Sequence, residues 1–375
     1  MDTSKPAVVA RIMIPLFKIH HPEGIGGKIE ELFEAGVITE GEKSDKFEGL
    51  FSRFVENPNC SLVNSCTSAL TLAYHVCGLK EGDEVITTPM TCMATNEPLY
   101  QAGAKIIWAD VDPTTGNIDP ADVLKKITPK TKAIVGVHWA GQPFDIDAIS
   151  QIAIDYGIKV VEDAAHALGA RYAKRPIGSH SDYVCFSFQA IKHLTTGDGG
   201  AICSRSFNDD QRIKKLRWFG LDRKYSGPRW EQDLYECGYK FHMNNINATI
   251  GIEQMKHIDV IIASHKGNGK FYDENINTPL IKKISRPQKC ESSYWTYSLL
   301  VDHPEIFKNY MEENGVECGA VHIRNDRYSV FKSFKTFDLF GCDEFCDHMI
   351  NIPVGWWLSN TDKRKIVNLV NSYKG

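Results

Sequence analysis

The sequence predicts an α/β protein in which a large layered domain precedes a smaller α+β domain. Between residues 59 and 204, short apolar runs rich in valine and isoleucine alternate with helix-like stretches, a pattern typical of a layered α/β domain. A chain of 375 residues is also long enough for two domains. After a helical segment at residues 246–257, the pattern changes to strands and helices with many aromatic residues. We therefore expect a large domain at residues 1–258 and a small one at residues 259–375.

Seven apolar runs are the strand candidates of the large domain. Each is apolar at successive positions, which favours strands buried between two helical layers. Helical patterns precede Gly78, surround Pro98 and span residues 146–156. The predicted strands are residues 61–64, 84–88, 105–108, 133–137, 159–162, 183–188 and 201–203.

The composition excludes several functional classes. Hydrophobic residues make up 42% of the chain and charged residues 24%, which argues against a disordered or fibrous protein. The formal net charge is -4 and no basic block is present, so we expect no nucleic-acid partner. Residues 24–28 lack the spacing of a P-loop, and no GxGxxG motif follows a strand. A dinucleotide-dependent oxidoreductase is therefore not indicated.

The termini and the cysteines indicate the compartment. Residues 1–11 lack the apolar segment of a signal peptide, and no run approaches the roughly 20 apolar residues of a membrane helix. We therefore expect a cytoplasmic protein with no membrane partner. The 11 cysteines are scattered without paired CxxC spacing, which favours reduced thiols and predicts no metal site.

A carboxylate ends one of the predicted strands. Asp163 follows the apolar run that begins at Val160 and stands three residues before His166. In α/β folds, ligands bind at the carboxyl ends of strands, so an acid at this position can orient a cofactor. The alternative from the residues alone is that Asp163 caps a helix.

A lysine follows the next predicted strand. Here the strand carries a hydroxyl at Ser187 near its end and is followed by Lys192 and then by a glycine-rich turn at residues 197–200. A lysine close to buried strand ends loses water, which lowers the pKa of its amine and makes it a usable nucleophile. The alternative is an ordinary surface lysine.

Together these residues suit pyridoxal phosphate (PLP). This cofactor requires a lysine for an imine and a carboxylate that keeps the pyridine nitrogen protonated. Its phosphate requires hydrogen-bond donors, and residues 64–70 supply a strand, a turn and a helix start with hydroxyls at Thr67 and Ser68. Taken alone, this last pattern is a common helix cap.

The chain resembles the DegT/DnrJ family of nucleotide-sugar aminotransferases. The resemblance covers almost the whole length and includes the Lys192 region. It implies fold type I of the PLP-dependent transferases, with a mixed, mostly parallel seven-stranded sheet between helices and a smaller C-terminal α+β domain. The other matching segments are residues 38–41, 65–70, 82–89, 103–105, 162–170 and 238–244.

The resemblance assigns roles to individual residues. It implies that Lys192 forms the Schiff base and shuttles the proton, that Asp163 pairs with the pyridine nitrogen, and that His166 contacts the phenolic oxygen of the cofactor. These three are the expected catalytic residues. Ser187 matches a phosphate-binding hydroxyl. The expected cofactor-binding residues are Cys66, Thr67, Ser68, Cys92, Asp163, His166, Ser187, Lys192 and Lys240.

The sequence departs from the family pattern at several positions. Cys66 stands where a glycine is usual, and Cys92 stands where many members place an aromatic ring on the cofactor face. Because a thiol cannot stack, we expect Met93 or His166 to cover that face. Lys240 replaces a frequent asparagine in a loop that, in the family, reaches the cofactor phosphate of the neighbouring subunit. We therefore expect a homodimer with composite active sites.

The implied reaction moves an amino group from L-glutamate to a nucleoside-diphosphate 4-keto-6-deoxyhexose, giving a 4-amino-4,6-dideoxyhexose, with pyridoxamine phosphate (PMP) as the intermediate cofactor form. Residues 321–326 offer a cation and amides for the sugar diphosphate, and their alternative is a plain polar loop. The expected substrate-binding residues are His322, Arg324 and Asn325.

Three other functions remain open at this point. One is amino transfer to a 3-keto sugar. Another is a PMP-dependent sugar dehydratase, against which Lys192 argues because those enzymes carry histidine in its place. The last is a regulatory protein that holds PLP without turnover.

Overall fold

A computed structural model describes residues 13–334, 336 and 338–375 of the chain. The helices of this described part are α1 (Ile25–Glu34), α2 (Glu42–Phe54), α3 (Cys66–Val76), α4 (Met93–Gln101), α5 (Pro120–Lys126), α6 (Ile146–Tyr156), α7 (Phe207–Leu216), α8 (Asn245–Met255), α9 (Ile258–Asn275), α10 (Pro304–Glu313), α11 (Phe340–His348) and α12 (Asn360–Ser372). The strands are β1 (Cys60–Val63), β2 (Glu84–Thr87), β3 (Lys105–Trp108), β4 (Thr131–Val137), β5 (Lys159–Asp163), β6 (Arg171–Tyr172), β7 (Arg175–Pro176), β8 (Tyr183–Ser187), β9 (Gly200–Ser204), β10 (Ile281–Lys283), β11 (Cys290–Glu291), β12 (Tyr297–Val301) and β13 (Met349–Ile352).

A seven-stranded sheet with the order β1-β9-β8-β5-β4-β2-β3 forms the centre of the fold. The strands from β3 to β8 in this order run parallel, whereas β9 is antiparallel to both of its neighbours, β8 and β1. The predicted fold class, a mixed and mostly parallel seven-stranded sheet, is therefore confirmed. Each of the seven predicted runs coincides with one of these strands to within two residues.

The sheet is covered on both faces, as the apolar runs predicted. Alternate residues of a strand point to opposite faces. Along β4, Ile134 belongs to the core on one face, and its neighbours Ala133 and Val135 belong to the core on the other. Along β5, Val160 and Val161 are divided in the same way. The parallel strands are therefore buried on both sides, and their polar groups of interest are confined to their ends.

A separate core lies in the C-terminal part of the chain. The sheet β10-β12-β13 packs with α9, α10 and α12 around this core. The short strand β11 pairs with β6 and so joins this part to the hairpin of β6 and β7. Helix α9 begins at Ile258, next to the predicted domain boundary.

A strained turn after β4 holds the two parts together beside the strand ends. Ala140 and Gly141 both have positive φ, at 52° and 93°. A Cβ atom at Gly141 would lie 2.4 Å from the Ser293 Oγ atom and 2.9 Å from the His166 carbonyl oxygen, so only glycine fits there.

Among the residues that the structure describes, none of the helices combines the length and apolar character that a membrane crossing requires.

Candidate active site

A pocket of about 440 Å³ opens where several strands of the large sheet end. Val137 closes β4, Asp163 closes β5 and Ser187 closes β8, and all three line this pocket. The start of α3, directly after β1, lines it as well. The position is the one that parallel α/β sheets generally use for ligands.

Lys192 contributes an amine whose proton is loosely held. Its side chain is half-buried in the pocket wall, and burial lowers the pKa of the amine from 10.5 to about 8, against the opposing attraction of the Asp163 carboxylate. The nitrogen lies 3.8 Å from the ring centroid of Trp295. Lys192 is therefore not the exposed surface lysine of the alternative interpretation.

Asp163 is buried and held by two hydrogen bonds. The Thr95 hydroxyl donates to Oδ2 over 2.6 Å, and the Ala165 N–H donates to Oδ1 over 3.0 Å. The chain after Asp163 forms turns, and the next helix begins only at Phe207, so Asp163 does not cap a helix. The carboxylate is instead fixed in orientation at the pocket wall.

His166 belongs to a stack of rings. Its plane is parallel to that of Trp295, with a centroid distance of 3.7 Å. Its Nε2 atom lies 3.3 Å from Nε2 of His322, and one of these nitrogens donates to the other. Burial lowers the pKa of both rings, to about 3 for His322, so the pair is neutral at physiological pH. The buried Nδ1 atom of His166 has no hydrogen-bond partner in the described part of the chain, which leaves it for a ligand.

The start of α3 forms an anion-binding turn. The Ser65 hydroxyl accepts the N–H of Ser68 and so caps the helix. Cys66 and the exposed Thr67 line the pocket beside it, where the first N–H groups of a helix lack partners within the helix. The Ser68 hydroxyl donates to Asn64 and lies outside the pocket lining.

Gly200, the first residue of β9, allows that strand to approach this turn closely. A Cβ atom there would lie 2.7 Å from the backbone nitrogen of Cys66. A larger residue at position 200 would push β9 away from the turn. Gly200 therefore lets β9 lie directly against the backbone of Cys66.

Met93 and His166 were the two residues expected to cover the cofactor face, and the structure places only His166 in the pocket lining. Cys92 lines the pocket with an exposed thiol. Met93 is 43% exposed and lies outside the lining, whereas His166 is part of it.

Of the three predicted substrate-binding residues, the structure brings only His322 into the pocket. Arg324 is buried, and its guanidinium is paired with Asp326 and Asp343. Asn325 is also buried, and its amide group bonds to the Asn96 side chain and to the Thr91 carbonyl. Both side chains belong to the wall behind the pocket, where their polar groups already have ionic or hydrogen-bonding partners.

Lys240 lies outside this pocket of its own chain. Its side chain is exposed, and its backbone pairs with Trp218 in an isolated antiparallel bridge. The described single chain therefore leaves its amine free to face a neighbouring molecule.

Several pocket residues were not expected from the sequence. Thr95, which is buried behind the pocket lining, donates to Asp163, and Glu317 accepts the Leu16 N–H over 2.9 Å at the pocket wall. Trp295 lies under Lys192 and His166. Thr95 lies outside the segments that carry the family resemblance, and for Trp295 the only sequence signal was its place among the aromatic residues of the C-terminal part.

A larger cleft of about 800 Å³ elsewhere has no comparable chemistry. Four of its five carboxylates, those of Asp110, Asp112, Asp119 and Asp145, have structural partners in the described chain. Asp119 and Asp145 cap α5 and α6, and Asp110 accepts the N–H groups of Gly341 and Cys342. The smaller pocket around Lys192 is therefore the candidate active site.

Several known proteins are similar to this chain in sequence or in fold. The chain is 39% identical over 237 residues to the spore coat polysaccharide biosynthesis protein SpsC of Bacillus subtilis, covering 62% of this chain and 61% of that protein. Its fold is similar to the crystal structure of AtS13 from Actinomadura melliaura, with a TM-score of 0.93, 36% identity and coverage of 96% of this chain and 99% of that one. It is also similar to the sugar aminotransferase CalS13 from Micromonospora echinospora, with a TM-score of 0.92, 33% identity and coverage of 96% and 100%.

The sequence profile of one enzyme family matches nearly the whole chain, from residue 22 to residue 371. The matched region contains the lysine, the carboxylate and the anion-binding turn of the pocket. The chain therefore belongs to the DegT/DnrJ/EryC1/StrS aminotransferase family.

Proposed function

We propose that this protein is a PLP-dependent aminotransferase that moves an amino group from L-glutamate to a nucleoside-diphosphate 4-keto-6-deoxyhexose, giving the corresponding 4-amino-4,6-dideoxyhexose. The observation that carries the proposal is the placement of the Lys192 amine and the Asp163 carboxylate in one pocket with the open N-terminus of α3. These are the three groups that the cofactor requires.

The residues of the pocket fit the cofactor. Lys192 would hold it covalently, and Asp163 would pair with its ring nitrogen. The unpartnered Nδ1 atom of His166 would contact its ring oxygen. Thr67, Ser187 and the first N–H groups of α3 would bind its phosphate. PLP, when bound, supplies an electron sink for the breaking of a bond at the amino-bearing carbon.

The chain's own residues supply the proton transfer and the orientation. With a pKa of about 8, the Nζ atom of Lys192 can both give up and take back a proton near neutral pH. Asp163 keeps its orientation through Thr95 and the Ala165 N–H, so its charge stays directed at the pocket. The neutral pair of His166 and His322 adds hydrogen-bonding capacity without a further charge beside Lys192.

The proposed substrate class is supported by the similar proteins. CalS13 is described as a sugar aminotransferase, and SpsC as a protein of spore coat polysaccharide biosynthesis. Amino transfer to a sugar ketone fits both descriptions. The nucleotide carrier, the 4-keto position and glutamate as donor follow from the family resemblance, and a 3-keto sugar is the alternative that the assay below distinguishes.

The proposal includes the organisation of the protein. We place the large domain at residues 1–258 and the small one at residues 259–375, near the start of α9. We further infer a cytoplasmic homodimer in which Lys240 of each subunit reaches the cofactor phosphate of the other. The exposed position of Lys240, outside its own pocket, supports this arrangement.

A two-part experiment tests the function. Purified protein loaded with PLP is reduced with borohydride and mapped by mass spectrometry, and we expect the cofactor on Lys192. The same protein is then incubated with glutamate and a panel of nucleotide 4-keto and 3-keto sugars, and amino-sugar formation is followed. Lys192→Ala should lose turnover, whereas Lys174→Ala should retain it, because Lys174 lies in an exposed turn outside the pocket. Attachment to another lysine, or near-normal turnover by Lys192→Ala, would show that the assignment is wrong. Bound PLP without any turnover across the panel would instead favour a regulatory protein.

A further inference from the structure

Trp295 makes three contacts with the candidate active site. Its indole Nε1–H donates to the carbonyl oxygen of Ile191 over 2.9 Å. Its ring lies parallel to that of His166 at 3.7 Å, and the Lys192 nitrogen stands 3.8 Å from its ring centroid. It comes from the segment between β11 and β12, so it approaches the strand ends from the C-terminal part of the chain.

We propose that Trp295 is a positioning residue that fixes the Lys192 amine and the His166 ring in position relative to each other. It touches both groups with one rigid indole, and its hydrogen bond fixes the peptide directly before Lys192. The inference rests on the proposed function of Lys192 as the cofactor lysine.

The hydrogen bond to Ile191 restrains the backbone from which Lys192 extends. A lysine side chain has four rotatable bonds, so its amine has a fixed position only if contacts restrain both the root of the side chain, at the backbone, and its tip, at the nitrogen. The Ile191 carbonyl is the restraint near the root. The indole face is the restraint near the tip, because an ammonium group is attracted to the face of an aromatic ring and most strongly to that of tryptophan.

The position of Trp295 is itself fixed by strained backbone. Tyr294, directly before it, has a φ of 51°, which a residue with a side chain adopts only when its surroundings impose it. The Tyr294 hydroxyl donates to Asp273 over 2.6 Å, and the Trp295 N–H donates to the carbonyl of Ala140, which also has positive φ. Strain of this kind is retained where geometry matters for function.

Trp139 is a second buried tryptophan, and its contacts are those of a residue that only packs in the core. Trp139 is as deeply buried as Trp295, but its Nε1–H donates to the Ser298 hydroxyl, away from Lys192. Its ring meets His166 and His322 edge-on at 6.5 Å and 6.1 Å. Trp295 differs because the face of its ring contacts His166 and the Lys192 amine, and its N–H donates to the Ile191 carbonyl directly before Lys192.

The test compares Trp295→Phe, Trp295→Ala and the matched control Trp357→Phe. Trp357 belongs to the same part of the chain and also donates its indole N–H to a backbone carbonyl, that of Pro15, over 3.1 Å, but it lies outside the pocket. Each protein is first reduced with borohydride in its PLP-loaded form to establish attachment at Lys192. Turnover is then separated into kcat and KM for glutamate, and the pH dependence of amine labelling at Lys192 is followed in the cofactor-free chain by mass spectrometry.

Trp295→Phe retains an apolar ring but lacks the N–H donor. We expect kcat to fall by about tenfold or more while KM changes by less than about threefold, because misplacement of a catalytic group affects the chemical step most. Trp295→Ala removes the ring contact, which favours the ammonium form, but it also admits water to the amine. Because burial is the largest cause of the low pKa of Lys192, the midpoint of Lys192 labelling should rise. Trp357→Phe should match the wild-type protein in both measurements.

Two outcomes overturn the proposal. One is a kcat of Trp295→Phe equal to that of the wild-type protein. If Trp295→Ala does not fold, this measurement is sufficient by itself to test the proposal. The other is an equal loss in Trp357→Phe, which would reveal a general effect of losing an indole. If the wild-type protein itself attaches no cofactor at Lys192, the proposed function fails. Normal attachment with unaffected Trp295 variants would remove only the positioning role.

Discussion

Replacing Lys192 with methionine should stabilise the cofactor-free protein at neutral pH. Burial lowers the pKa of the Lys192 amine from 10.5 to about 8, so the protonated amine is less stable in the folded chain than in the unfolded one. Methionine is unbranched, adaptable in its packing and uncharged, so it removes this penalty without leaving a large cavity. A residue placed for chemistry thus costs the fold stability until a cofactor takes up its amine.

The size of the gain follows from the pKa. Each pKa unit is worth about 1.4 kcal/mol, so a fall from 10.5 to about 8 corresponds to about 3 kcal/mol. Two effects reduce this figure. The half-buried side chain still meets water at the pocket mouth, and the variant loses the contact between the ammonium group and Trp295, worth about 0.5–1 kcal/mol. We therefore expect the free energy of unfolding to rise by about 2 kcal/mol at pH 7.

The gain should depend on pH in one direction. Below about pH 8 the amine is protonated in both the folded and the unfolded chain, so the full penalty is present. Between about pH 8 and 10.5 the folded chain gives up the proton while the unfolded chain keeps it. The unfolded state then binds more protons, so the stability of the wild-type protein rises with pH relative to the variant. Above pH 10.5 the difference should have disappeared.

Urea unfolding of the cofactor-free proteins measures this effect. Wild type, Lys192→Met and the control Lys282→Met are compared at several pH values from neutral to alkaline. Lys282 is exposed on β10, so its replacement should change the free energy of unfolding by less than about 0.5 kcal/mol. A Lys192→Met protein that is less stable than wild type at pH 7, or a difference that stays constant across the pH range, would refute the reasoning.

Three further predictions concern the Asp163 carboxylate, the Thr95 hydroxyl that supports it, and the proposed subunit interface. Asp163→Asn should retain PLP but lose most turnover, because a neutral amide cannot keep the ring nitrogen protonated; wild-type rates with equal cofactor binding would reduce Asp163 to a structural role. Thr95→Val removes the 2.6 Å hydrogen bond to Asp163 and should lower kcat/KM about 10- to 100-fold, since a bond to a charged group is worth about 1.5–3 kcal/mol. Thr95→Ser, which keeps the hydroxyl, should stay near the wild-type rate, and equal losses in both variants would point to packing instead. Lys240→Ala should weaken PLP binding in equilibrium titrations, and mixing it with Lys192→Ala should restore at most one working site per hybrid dimer; unchanged cofactor affinity, or a fully active monomer, would contradict the composite site.

Much of the fold was predictable because its signals are local. A strand buried on both faces must be apolar at successive positions, and each of the seven apolar runs became a strand of the large sheet. What the runs themselves do not encode is direction. The antiparallel course of β9 between β8 and β1 depends on how the chain returns after the Lys192 segment. The family resemblance implied a mixed, mostly parallel sheet but not which strand is reversed.

The central residues of the candidate site were predictable for a related reason. Asp163 and Ser187 end strands, and the anion-binding turn follows another strand. The ends of neighbouring parallel strands meet at the same edge of a sheet, so residues far apart in sequence come together there once the strands are known. Local pattern and sheet geometry thus sufficed for these groups.

The surroundings of these residues were decided by the tertiary structure alone. Trp295 reaches the Ile191 carbonyl across 104 positions of sequence, and its neighbours along the chain do not distinguish it from the other aromatic residues nearby. Arg324 has the charge that a sugar diphosphate needs, but Asp326 and Asp343 neutralise it behind the pocket. Sequence determines which side chains can do chemistry, whereas packing determines which of them are left free to do it, because a polar group that is buried must first find its partners within the fold.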